Sequence, residues 1–257
     1  MSKATGYPEV SIVSLFIGRA YCLKQFLEGL ESLDYPKDRI HLVWHDTSHI
    51  KGFQKKLGDW LNAHGRDYAS TTYIMCESPH YHFEEKQFEA LDAITEAYNH
   101  CRNIFRGDYF FTLEDDVVPP PESLKRLLGI MENPDVKAAA GVTVYRPSSH
   151  EIPDQPVAWN FEKVEVFPGE GIETSYECKL IEKLPINKNV EFIGSAHLGC
   201  TLIDGEFVRS NPFLARMDGA AYGCDVVVGY KIYKQGYKYA LDWGLRCKHY
   251  DIDGSFV

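Results

Sequence analysis

The chain has 257 residues, 44% of them hydrophobic and 13% aromatic, enough for one large α/β domain or two small ones sharing a sheet. Its 27 basic and 37 acidic side chains leave a formal charge of −10, which argues against a general nucleic-acid binder or a protein held to anionic lipid by charge alone. No stretch approaches the ~18 apolar residues of a membrane span, and the opening MSKATGYPEV has no hydrophobic signal core.

Val10 to Phe16 reads as the first strand. Leu23, Phe26, Leu27, Leu30 and Leu33 then recur at helical spacing, and Asp34-Tyr35-Pro36 ends that helix. Ile40 to Trp44 is a second strand, closed by His45-Asp46-Thr47-Ser48. Phe53, Leu57, Trp60 and Leu61 mark a second helix, and Thr71 to Met75 a third strand. A long helix follows from Phe88 to Phe105, then a strand from Tyr109 to Leu113, a helix from Pro121 to Met131 and a strand from Val136 to Tyr145. Strands alternating with helices imply βαβ units and a largely parallel sheet.

From Arg146 to Val190 five prolines and few apolar runs predict loops and short antiparallel strands. Glu191 to Ile203 returns to β character. Asp225 to Gln235 reads as a helix stopped by Gly236, and Lys238 to Trp243 as a last strand. We therefore expect one continuous domain with two halves, residues 1–145 and 146–257.

The most telling stretch is DYFFTLEDDVVPPP at 108–121. A short apolar run carries three consecutive carboxylates, Glu114, Asp115 and Asp116, to the end of a buried strand. Prolines forbid its continuation. Ligands in open α/β sheets bind beyond the carboxyl ends of strands. Carboxylates so close repel one another, and a divalent cation relieves that. Hard oxygen ligands suit Mg²⁺ or Mn²⁺. The plainer alternative is a solvated turn that caps the next helix. Seven cysteines without a CxxC pair are expected as reduced, mostly buried thiols of a cytoplasmic protein. Histidines 41, 45, 49, 80 and 82 have no cysteine or acid at zinc spacing, so no zinc site is expected there.

Together these landmarks resemble a glycosyltransferase of the GT-A fold, closest to the large family-2 group. The resemblance implies a Rossmann-like, mostly parallel central sheet flanked by helices, with a smaller mixed or antiparallel acceptor-side region. Val10–Phe16 with Arg19 resembles the family's opening strand and donor-binding loop, so Phe16 and Arg19 are implied donor contacts. HLVWHDTS at 41–48 resembles the strand whose terminal acid, here Asp46, reads the nucleotide base. LEDDVVPPP resembles the metal-binding acidic motif. Gly223-Cys224-Asp225 resembles the site of the catalytic acidic pair, and Lys248-His249-Tyr250 a late segment that supplies a third metal ligand. This chain has Glu-Asp-Asp for Asp-x-Asp and Cys224 where Glu is usual. The QxxRW signature of processive synthases is absent, which favours single transfer.

On that resemblance, Glu114, Asp116 and His249 hold Mn²⁺ or Mg²⁺. Asp115 is left for the ribose or the donor sugar, and Lys86 joins Arg19 at the donor. Asp225 is either the general base or the cap of its own helix. Asp46 either reads the base or makes an Asx turn. Arg19 and Lys86 are either donor contacts or solvated surface charges. The expected reaction moves a single sugar from a nucleotide sugar, UDP favoured over GDP, to a hydroxyl of a glycan, lipid-linked or protein acceptor, with inversion. Residues 146–222 are expected to recognise that acceptor. The rivals are a degenerate transferase domain that only binds a nucleotide sugar or partner, and a sugar-phosphate nucleotidyltransferase. The latter needs a glycine-rich triphosphate loop, and SLFIGRAYC offers one glycine. A calcium domain is remote, because no EF-hand spacing surrounds the acids.

Overall fold

The protein is described from a computed structural model that covers residues 6–76, 86–146, 155–166, 173–185, 189–217, 220–221 and 223–257. Strands are β1 (Val10–Phe16), β2 (Ile40–Asp46), β3 (Ser70–Met75), β4 (Tyr109–Leu113), β5 (Val117–Val118), β6 (Val136–Val142), β7 (Ala158–Val166), β8 (Glu173–Leu180), β9 (Val190–Ile193), β10 (Ser195–Ala196), β11 (Cys200–Asp204), β12 (Arg216–Met217), β13 (Ala220–Ala221), β14 (Lys238–Arg246) and β15 (Lys248–His249). Helices are α1 (Leu23–Glu31), α2 (Lys51–His64), α3 (Gln87–Ile104), α4 (Ser123–Met131), α5 (Gly205–Ser210) and α6 (Cys224–Lys234).

Eight strands form the central sheet in the order β3-β2-β1-β4-β11-β6-β14-β9. The β3-β2-β1-β4 half is parallel, as the alternating pattern predicts, while β11 runs antiparallel between β4 and β6. Strands from both sides of residue 145 share this sheet.

Alternation along the strands sorts the core. Ile12 and Phe111 pack with Leu23, Phe26 and Leu30 of α1, Phe53 of α2 and Leu127 of α4 on one face. Val13 and Phe110 pack on the other face with Tyr98 of α3, Phe207 of α5 and Ile232 of α6. Each large apolar side chain buried in this way contributes about 1.5–3 kcal/mol. Helix α6 stops in a Schellman motif. Gly236 has φ +79°, its N–H donates to the Tyr233 carbonyl, and Tyr237 N–H donates to that of Ile232.

Two expectations change. The β-rich run Glu191 to Ile203 is three strands, not one. At Gly194 the chain leaves the central sheet, where β9 pairs with β14, and enters a small sheet of order β10-β7-β8. A Cβ at Gly194 would lie 2.9 Å from the Trp159 carbonyl oxygen and the Phe161 nitrogen, so only glycine permits that crossing. The proline-rich middle also holds a longer antiparallel pair than expected, β7 against β8, in register from Trp159↔Leu180 to Val166↔Glu173.

Candidate active site

The acidic triplet leaves β4 in a tight turn. Glu114 N–H donates to the Gly199 carbonyl, and Val117 N–H returns to the Glu114 carbonyl. The two valines then become β5, which pairs antiparallel with β15 so that Val117 faces His249. Tyr250 N–H donates to the Asp116 carbonyl at 2.9 Å. This small ladder fixes where His249 stands. Its Nδ1 lies 2.7 Å from the Val144 carbonyl oxygen and so carries the proton. That leaves Nε2, 3.5 Å from Asp116 Oδ2, with its lone pair available.

Asp116 is 1% exposed, and its Oδ1 is buried with no hydrogen-bond partner. A buried carboxylate oxygen without a donor is costly, and the other oxygen of the same carboxylate faces an imidazole held in the ligating tautomer. Aspartate and neutral imidazole suit a divalent ion that keeps further positions for water and phosphate. The residues present therefore fit Mn²⁺ or Mg²⁺. Glu114 does not complete the expected triad. Among the described residues, the only three-ligand cluster within 4.8 Å is a different one, His45, Cys76 and His100. Glu114 turns instead to His197, with Oε2 3.2 Å from Nε2.

Arginines already offset much of the acid charge. Arg19 Nη1 donates to Asp115 Oδ1 at 2.5 Å, and its Nε lies 3.3 Å from Asp116 Oδ2. Arg146 Nη1 donates to the same Asp116 oxygen at 3.3 Å. Asp115 Oδ2 also accepts from Ile17 N–H, so its carboxylate serves the protein rather than standing open for a sugar. Burial pushes Asp115 up, against the pull of Arg19. Burial pushes on Asp116 too, but the Arg19 guanidinium, with Arg146, holds it well below the usual carboxylate range.

Glu114, His197 and Asp225 form a second charged group near the triplet. Burial disfavours the His197 cation, yet the Glu114 carboxylate, with Asp225 and Asp116 behind it, raises the imidazole to about 9. Asp225 sits in the first turn of α6. Gly223 (φ +36°) is the N-cap, and the Asp225 carboxylate accepts from its neighbour Val226 N–H instead of capping the helix. Burial pushes Asp225 up while His197 pulls it down. Cys224, at the position where a second acid was expected, is 5% exposed and belongs to the core.

The remaining predicted residues lie elsewhere. Phe16 is a correction: its ring is fully buried against Phe26, Trp44 and Phe53, so it is a core residue and cannot touch a donor. Asp46 makes the Asx turn, accepting from Ser48 N–H at 2.7 Å and from the Tyr73 hydroxyl at 2.6 Å, and it is fully buried. Lys86 is exposed at the N-cap of α3. His80 and His82 lie outside the described residues.

His197 and Arg146 were not singled out from the sequence. Each had a signal. Arg146 follows a strand at the rim where ligands gather. His197 lies between Gly194 and Gly199, and a Cβ at Gly199 would stand 2.8 Å from its Nδ1.

A sequence model described as "Glycosyltransferase family 25, N-terminal domain" matches residues 7–139. Among curated proteins, a Drosophila melanogaster procollagen-lysine,2-oxoglutarate 5-dioxygenase is 28% identical over 127 residues, 49% of this chain and 16% of that protein. A glycosyltransferase 25 family member of the same fly is 31% identical over 140 residues, 50% of this chain and 22% of the relative. A human protein described as inactive glycosyltransferase 25 family member 3 is 29% identical over 133 residues, 48% of this chain and 22% of the relative. The matches thus span about half of this chain and less than a quarter of those relatives.

Among solved structures, the mannosyltransferase PcManGT from Pyrobaculum calidifontis, in complex with GDP-Man and Mn²⁺, superposes with a TM-score of 0.56 at 16% identity. It covers 91% of this chain and 55% of that one. S. aureus TarS 1-349 in complex with UDP-GlcNAc gives 0.54 at 11% identity, covering 96% and 57%. These likenesses bear out the GT-A fold.

Proposed function

The chain belongs to glycosyltransferase family 25, and on that premise we propose that it moves one sugar from a nucleotide-sugar donor, UDP-linked in our reading, to an acceptor hydroxyl with Mn²⁺ or Mg²⁺ at the acidic rim. One observation carries the reading: the buried Asp116 carboxylate has an unpartnered Oδ1 while its Oδ2 lies 3.5 Å from His249 Nε2. In this reading Asp116 and His249 hold the ion. A bound dication supplies charge neutralisation to the leaving diphosphate.

Arg19 and Arg146 add fixed positive charge at the same carboxylate. Guanidinium groups suit phosphate oxygens, so an incoming diphosphate takes up donors that now face Asp115 and Asp116. Asp225 accepts the acceptor's proton as the new bond forms. A buried carboxylate whose pKa is raised is a stronger base than a solvated one. Direct displacement assisted by one carboxylate base inverts the anomeric centre. The titles of two structural neighbours support a nucleotide-sugar donor, one carrying GDP-Man with Mn²⁺ and the other UDP-GlcNAc.

A second reading is a module that binds a nucleotide sugar without turnover. It is favoured by the human relative described as inactive and by the absence of a second acid at Cys224. One experiment separates the two. Calorimetry with UDP- and GDP-sugars, with Mn²⁺, with Mg²⁺ and without metal, is paired with release of nucleoside diphosphate. Metal-dependent binding with turnover supports the enzyme. Binding without turnover toward any acceptor class, or in hydrolysis, supports the module. A folded protein that binds no nucleotide sugar with either metal overturns both.

A further inference from the structure

We propose that His45, Cys76 and His100 form a second metal site, built for a borderline-soft transition dication such as Zn²⁺ and separate from the acidic rim.

The three side chains come from three elements. His45 is the penultimate residue of β2, Cys76 follows β3, and His100 lies on α3. Parallel register carries the chain past the end of β3, where Cys76 N–H donates to the Asp46 carbonyl. That contact sets the thiol beside His45, with Sγ 3.3 Å from Nε2. The His100 ring meets His45 edge to face, centroids 5.4 Å apart. One ligand atom from each residue lies within 4.8 Å of the others.

The geometry suits an ion. Zinc–nitrogen bonds of ~2.0 Å and zinc–sulfur bonds of ~2.3 Å at a tetrahedral angle separate the two ligand atoms by about 3.5 Å. The His45–Cys76 pair already stands close to that. The third ligand falls to His100, whose ligand atom lies within 4.8 Å of the other two and whose side chain is exposed.

His45 is 3% exposed, so packing holds its ring and presents Nε2 to the Cys76 thiol. Two imidazoles and a thiolate select zinc or cobalt over the hard ions that suit Asp116. Half-buried Cys76 and exposed His100 leave the fourth position to water. An ion here pins the β2–β3 edge of the sheet to α3.

The test separates the two sites by ligand chemistry. Metal-stripped protein, its acidic rim saturated with Mg²⁺, is titrated with Co²⁺ and followed by thiolate-to-cobalt charge-transfer absorbance. The expected result is a band that saturates at one ion per chain and is displaced by Zn²⁺. It is lost in Cys76→Ala, and His100→Ala weakens Co²⁺ binding about 100-fold. Both positions are at least partly exposed, so circular dichroism and Mn²⁺ binding at the rim should be unchanged. A folded wild-type protein that gives no thiolate band, or a band that persists in Cys76→Ala, overturns the site.

Discussion

His249 Nε2 stands 3.5 Å from Asp116 Oδ2 because Val117, the residue after Asp116, is paired with His249 in a two-residue antiparallel ladder. The ligand geometry is thus written into backbone pairing. His249→Ala should weaken Mn²⁺ binding by about 10- to 100-fold while the ladder persists. Asp116→Asn should abolish metal-dependent donor binding. Calorimetry on both variants checks this, and wild-type affinity in either removes the rim from the metal site.

Asp225→Asn keeps an oxygen for Val226 N–H and so keeps the start of α6. We expect donor affinity to be unchanged and kcat to fall by about 10²–10⁴-fold, the usual worth of a general base. Steady-state rates beside donor titration measure both. Full turnover would assign the proton to another group.

The Glu114–His197 pair makes stability pH-dependent with a definite sign. The folded protein holds His197 at about 9, above its ordinary value of 6.5. Protonation therefore stabilises the fold. The contribution is complete below pH ~6.5 and is lost as pH rises through about 9. Thermal melting between those values should show Tm falling with pH, and the slope should flatten in His197→Gln. A wild-type Tm that is level across the window contradicts the pairing.

Arg19 contacts two carboxylates that are each 1% exposed. Arg19→Ala leaves them buried with a lost partner, a defect worth about 3–5 kcal/mol. Urea unfolding should register it. Added Mn²⁺ should recover part of the loss, since the ion binds only the native state.

Gly229 lies where α6 crosses β10. A Cβ there would stand 2.3 Å from the Gly194 carbonyl oxygen and 2.4 Å from Ser195 Cβ. Backbone cannot yield cheaply. Gly229→Ala should therefore cost about 1–3 kcal/mol by overpacking and shift Asp225, whose carbonyl accepts from the Ser195 hydroxyl. Loss of both Tm and turnover is expected.

Local periodicity made most of the elements legible. Val10–Phe16 and Tyr109–Leu113 appear with the expected limits, and the helices start and stop within a few residues of their apolar repeats. The crossing at Gly194 was not legible, since a glycine within a β-rich run does not say which sheet each side joins. Phe16 misled for a related reason: a strand's last residue points either to the rim or to the core.

The sequence by itself determined the order of strands and helices and the delivery of three acids to a strand's end, because those follow from side-chain spacing a few residues long. Only the tertiary structure decided which partner each acid takes. Asp115 meets Arg19, Glu114 meets His197 and Asp116 meets His249, while His45 meets Cys76 and His100. Such contacts join segments tens of residues or more apart, and strand register and helix packing set them, not the neighbouring residues in the chain.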